Sequence, residues 1–185
     1  MIVADGFVFV IFVKKITETM ELLTETESGL PLNGLSSYEI ERNKPMPNLT
    51  HGSLQMNIGF ELKLKYGAFY RIASEVALAT VPDGTTPDIV LYPKRELNFI
   101  NESAKQTDAP LVTIEIQSPS QSNDEMIEKA HQYFAFGVKS CWIVFPAMKG
   151  IAIYSSPDKY DFFHHDEMVK DAVMNIEIDL KKVFE

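Results

Sequence analysis

Residues 111–120 read LVTIEIQSPS, and they are followed by QSNDEMIEKAHQYFAFG (121–137) and VKSCWIVF (138–145). The first run is a strand in which side chains alternate between faces, so Val112, Ile114 and Ile116 point one way and Thr113, Glu115 and Gln117 the other. Ser122 followed three residues later by Glu125 is a capping-box pattern that starts a helix. Ile127, Ala130 and Phe134 read as the apolar face of that helix, and Gly137 as its stop. Cys141–Phe145 (CWIVF) is apolar on both faces, which is the pattern of a fully buried strand.

Outward from this unit the same rules apply. Upstream, Leu54, Ile58 and Leu62 recur at i, i+4 and i+8 and predict a helix over about 53–66, with Gly67 closing it. Phe69–Ala73 and Val76–Val81 read as a strand pair bent near Ser74 or Glu75, Pro82-Asp83-Gly84 as a turn, and Ile89–Tyr92 as a strand. Residues 93–109 are polar loop. Downstream, a turn at Lys149-Gly150 leads into a strand at Ile151–Tyr154, and the tail from Asp158 is acidic, with Ile176, Ile178 and Leu180 alternating weakly. The order helix, strands, helix, strands is that of an α/β or α+β domain with a central mixed β-sheet flanked by helices. The domain is expected over 37–185, starting with a strand at Tyr38–Glu41 and a turn at 42–44. Residues 1–36 are expected to be an N-terminal arm or linker. Within that arm FVFVIFV (7–13) is far short of the roughly 20 apolar residues of a membrane span. It also lacks the basic start and small-residue cleavage site of a secretory signal. Met20 is an alternative natural start, with 1–19 as an upstream extension.

The composition narrows the function. In 185 residues, 45% are apolar and 23% charged, ordinary values for a globular domain. A single cysteine, Cys141, excludes a disulfide framework or a cysteine zinc site and fits a reducing, cytoplasmic setting. Net charge is −9, which argues against a protein held on nucleic acid by bulk attraction to phosphate. No P-loop, G-x-S-x-G or H-E-x-x-H occurs, and several enzyme classes drop out with them.

Two carboxylates stand where a sheet can hold them. Asp88 follows Pro87 and opens the strand IVLY, and Glu115 sits in mid-strand between two isoleucines. A buried carboxylate is tolerated only when paired, hydrogen-bonded or metal-bound. If the two strands are neighbours, Asp88 and Glu115 can share one divalent ion, and oxygen donors suit Mg²⁺ or Mn²⁺. Lys129 and Tyr133, four apart, share a helix face from which the lysine can reach over the sheet toward Glu115. The competing readings are plain ones: a loop end for Asp88, a structural ion pair for Glu115, a solvated helix position for Lys129. Likewise Glu75 is a candidate base or ligand or else a surface strand residue, and His51 a ligand or else a helix-start residue. His131 reads as a helix-surface residue, His164-His165 as an exposed loop rather than a metal cluster, and Cys141 as an inert core thiol.

PDIV (87–90), TIEIQSPS (113–120), Lys129, Tyr133 and GVKSCWIV (137–144) together resemble the PD-(D/E)XK nuclease superfamily, and within it the Uma-type putative restriction endonucleases. His51 and Glu75 match the histidine that opens the first helix and the glutamate before the P-D in that family. The resemblance covers roughly 38–155, and E-x-x-S-P-S to G-V-x-x-x-W is its specific part. It implies a restriction-endonuclease-like core and a Mg²⁺- or Mn²⁺-dependent endonuclease acting on DNA. It also implies a homodimer with no membrane attachment. The implied metal ligands are Asp88, Glu115 and the backbone carbonyl of Ile116. The superfamily's lysine falls at Gln117 here, a departure from the parent pattern, and Lys129 on the next helix is the family's substitute. Asp88, Glu115, Gln117, Lys129 and Glu75 are thus the implied catalytic group, with His51 and Tyr133 beside it. The alternative is a catalytically inactive nuclease-fold module for binding or assembly, favoured by Gln117 and by the charge of −9.

Overall fold

A computed structural model describes residues 47–101 and 103–185. The strand expected at 38–41, the turn at 42–44 and the apolar run at 7–13 lie outside the described residues. The described chain begins with α1 (Leu49–Tyr66), whose Asn48 side chain accepts the His51 amide as an N-cap. The helix starts four residues before the apolar spacing predicts, because Asn48 caps its first free amides ahead of the first apolar repeat.

A six-stranded sheet follows: β1 (Tyr70–Ser74), β2 (Ile89–Pro93), β3 (Val112–Ile116), β4 (Ser140–Phe145), β5 (Gly150–Ser156) and β6 (Lys159–His164), in that spatial order. All neighbours are antiparallel except β3 and β4, which are parallel. The parallel pair needs a crossover, and α2 (Asn123–Phe136) supplies it. Its capping box between Ser122 and Glu125 is formed in both directions, and Gly137 ends it at φ 114°, a conformation that favours glycine. A 3-10 turn at Pro146–Met148 joins β4 to β5. The small hairpin β7 (Met168–Asp171) and β8 (Ile176–Asp179) and the short helix α3 (Leu180–Val183) complete the fold.

The sheet separates two apolar layers. On one face Leu54, Ile58 and Leu62 of α1 pack with Ile89, Leu91, Val112, Ile114, Ile116, Trp142 and Val144, and the β7–β8 hairpin closes the same layer with Val169, Ile176 and Ile178. On the other, Met126, Ala130 and Tyr133 of α2 pack with Cys141, Ile143, Ala152 and Tyr154. Each fully buried aliphatic side chain contributes roughly 1.5–3 kcal/mol. The alternation expected in β3 is therefore present: its isoleucines face α1 and Glu115 faces α2.

Two expectations need correction. The buried face of α2 is Met126, Ala130 and Tyr133, while Ile127 is 39% exposed and Phe134 only half-buried. The helix is turned so that Tyr133, not Phe134, enters the sheet, since only its hydroxyl can satisfy Glu115. Val76–Val81 is not a strand. Glu75 takes the left-handed conformation (φ 57°) after β1, and beyond it Leu78 makes only single bridges to Thr85 and Gln106. The sequence also gave no sign of β6 or β7.

Candidate active site

The site forms where β2 and β3 end beside the start of α1. In the β2–β3 register Ile89 faces Ile114 and Val90 faces Thr113, so one further step sets Asp88 opposite Glu115. Both are buried, Asp88 completely and Glu115 at 2% exposure. The Asp88 carboxylate turns into the end of the ladder, where its Oδ2 accepts the Ile116 amide at 2.6 Å. Asp88 is thereby fastened to the peptide unit that Glu115 begins.

Each carboxylate has a basic partner from a different layer. From α1, His51 Nε2 lies 3.0 Å from Asp88 Oδ1, and because the carboxylate accepts, Nε2 carries the proton. The other ring nitrogen, Nδ1, is buried without a hydrogen-bond partner among the described residues. From α2, Lys129 Nζ donates to Glu115 Oε2 at 3.1 Å, and the Tyr133 hydroxyl donates to Oε1. Burial first, and then the Glu115 charge, pushes the Tyr133 phenol well above its usual 10, so it remains a donor throughout the neutral range.

The other predicted residues take distinct places. Glu75 Oε1 accepts from Gln55 Nε2 at 3.2 Å, and the same amide donates to the Asp88 carbonyl at 2.8 Å. Gln55 thus ties Glu75 to the start of β2. The sequence reading missed it, although its spacing of four from His51 puts the two on one helix face. Gln117 does not join the carboxylates: its Nε2 donates to the Gln121 carbonyl (3.1 Å) and to Asn123 Oδ1 (2.9 Å), which fixes the turn before α2. His131 is exposed near Asp158 at 3.5 Å, and His164 and His165 are exposed. Burial pushes the Cys141 thiol up to about 12, as for an inert core residue.

A cleft of about 420 Å³ opens beside His51, lined by Asn48, Thr50, Gln117, Ser118, Pro119, Gln121, Pro146 and Ala147. Among the described residues its walls carry no lysine, arginine or carboxylate. Among the described residues no group of three His, Cys, Asp or Glu side chains could hold a metal ion. The two buried carboxylates at this strand end, Asp88 and Glu115, offer oxygen donors, the chemistry of a hard-cation set rather than a zinc set. Among the described residues no helix is long and apolar enough to cross a membrane.

A family model described as Uma2, putative restriction endonuclease, matches residues 35–180. A solved structure described as a putative nuclease belonging to DUF820, from Anabaena variabilis ATCC 29413, aligns with a TM-score of 0.64. It is 23% identical over 76% of this chain and 83% of that one, a likeness of fold. No curated protein matches the chain.

Proposed function

The chain belongs to the Uma2 family of putative restriction endonucleases, and on that footing we propose that it is a divalent-metal-dependent endonuclease that hydrolyses DNA phosphodiester bonds. The observation that carries this is the Asp88–Glu115 pairing: two buried carboxylates in adjoining register, linked through the Ile116 amide and each backed by its own basic residue.

Asp88, Glu115 and the Ile116 carbonyl would hold Mg²⁺ or Mn²⁺, which when bound supplies Lewis-acid stabilisation of phosphate charge and a more acidic water. His51 keeps Asp88 oriented through Nε2. Tyr133 fixes one oxygen of Glu115. Lys129, whose side chain is 24% exposed, holds the other while keeping its ammonium at the edge of the site, where it can stabilise charge on the scissile phosphate. In this reading Lys129 takes over the task of the lysine that Gln117 replaces, and Gln117 shapes the cleft wall. In the same reading Glu75, which accepts a hydrogen bond from Gln55, is an accessory base or ligand. We take the domain as 37–185 with 1–36 as an arm, a homodimer as the working assembly, and the cytoplasm as the compartment.

A second reading, an inactive nuclease-fold module for binding or assembly, is favoured by Gln117 in place of a lysine, by the absence of lysine and arginine among the described residues of the cleft lining, and by the net charge of −9. Supercoiled plasmid incubated with purified protein and Mg²⁺ or Mn²⁺ separates the two. Nicking that needs the metal and disappears in Glu115→Ala supports the enzyme. No cleavage by wild type, together with no Mn²⁺ binding by calorimetry, supports the module.

A further inference from the structure

Helix α1 is apolar on both sides. Leu54, Ile58 and Leu62 are buried against the sheet, yet on the opposite side Leu49 is 88%, Met56 71%, Phe60 61% and Leu64 65% exposed. At 100° per residue Gly52, Ser53, Met56, Phe60, Lys63 and Leu64 fall in a sector of roughly 120° that includes Leu49. Gly52 leaves open space, with no described residue within 4 Å of where a Cβ would stand. Lys63 is the one charge in the sector, in a chain whose net charge is −9.

We propose that this face is the contact between two copies of the chain, with the two α1 helices packed antiparallel about a two-fold axis at Met56. Three observations select a second copy. The face is self-complementary: Gly52 lies four residues before Met56 and Phe60 four after. An antiparallel pair therefore seats the Phe60 ring of one protomer over Gly52 and Ser53 of its partner, and sets Leu64 against its partner's Leu49. Among the described residues the face is free of carboxylates, so two strongly acidic molecules meet on it without opposing acidic groups from the helices, and the two Lys63 side chains stand about 20 Å apart along the axis. The area also suffices. Four large side chains at these exposures present on the order of 500 Å² of apolar surface per copy, at the upper end of what monomers expose. The rim of Ser53 and Lys63 brings this toward the roughly 800 Å² per partner of a standard interface.

The proposal rests on the homodimer taken above, to which it gives a face, but not on the catalytic reading, and the test reads mass rather than activity. In sedimentation equilibrium of the full chain between about 1 and 100 µM, wild type is expected at twice 20.9 kDa at the upper end. Phe60→Glu and Met56→Lys are expected to weaken the dimer at least a hundredfold, giving 20.9 kDa throughout with an unchanged far-ultraviolet spectrum. Met56→Cys is expected to cross-link two chains on mild oxidation, since two-fold symmetry brings this position against itself and the natural thiol, Cys141, is buried. A monomeric wild type at 100 µM overturns the proposal, and so does a dimer that Phe60→Glu leaves intact. If Phe60→Glu does not fold, the Met56→Cys variant decides: a dimer that fails to cross-link at this position is built through another face.

Discussion

Replacing Lys129 by Met tests how Glu115 is kept in the core. Glu115 lies in mid-strand with its side chain 3% exposed, and its charge is met by Lys129 at 3.1 Å and by the Tyr133 hydroxyl. Removing one partner of a buried pair leaves an uncompensated charge and typically destabilises by about 3–5 kcal/mol. Lys129 is 24% exposed, so water can partly replace it, and the expected loss falls to about 2–3 kcal/mol. Methionine preserves the stem that lies along the sheet, which isolates the effect of charge. Adding Glu115→Gln removes the charge left behind while keeping an acceptor for Tyr133. The double variant should therefore recover at least about 1 kcal/mol relative to Lys129→Met alone. Urea unfolding followed by Trp142 fluorescence and circular dichroism measures all four corners of the cycle. A loss below about 0.5 kcal/mol for Lys129→Met, the value of an exposed pair, would refute the reasoning, and so would a double variant that simply sums the two losses.

Other perturbations probe the frame of the site. Gly137→Ala should destabilise by about 1–2 kcal/mol through backbone strain at φ 114° rather than by collision, because the nearest atom, Ala109 Cβ, stands at an ordinary 3.4 Å; thermal melts of this variant and Gly137→Asn, which tolerates that conformation better, check the cause. Asp171→Ala should lose about 2–3 kcal/mol in urea titrations, since its carboxylate accepts the buried Trp142 Nε1 proton at 2.8 Å and caps the amides of Val173 and Met174. Burial raises the Cys141 thiol to about 12, so the stability this provides is complete below the unfolded value near 8.5 and is lost as pH rises toward 12. Between pH 9 and 11 wild type should therefore lose about 2 kcal/mol more than Cys141→Ala, and parallel pH curves would contradict the assignment.

The parts of the fold legible in the sequence were those in which one physical signal acts alone. The capping box at Ser122 and the glycine stop at Gly137 each had one reading and each formed, and Glu115 between two isoleucines is buried as its neighbours imply. The orientation of α2 was not legible from apolar spacing, because its position against the sheet is decided by a polar group, the Tyr133 hydroxyl, which hydropathy counts against burial. The same applies to Asp171, which the acidic tail disguised: its burial depends on Trp142, 29 residues earlier. Strand β6 (Lys159–His164) was missed because it is an edge strand with both faces largely in solvent, so it shows no inward apolar row. At the site, the reach of Lys129 to Glu115 followed from helical spacing, whereas the Tyr133 hydroxyl on Glu115 and the fastening of Asp88 to the Ile116 amide depend on tertiary packing that no local pattern encodes.

The most direct measurement of the central claim is a crystal soaked in Mn²⁺ and recorded at the manganese absorption edge. The account predicts an anomalous peak ligated by Asp88, Glu115 and the Ile116 carbonyl oxygen at hard-cation distances of about 2.0–2.6 Å, a peak that vanishes in Asp88→Ala. A peak bound elsewhere, or none at Mn²⁺ concentrations that support cleavage, would contradict it.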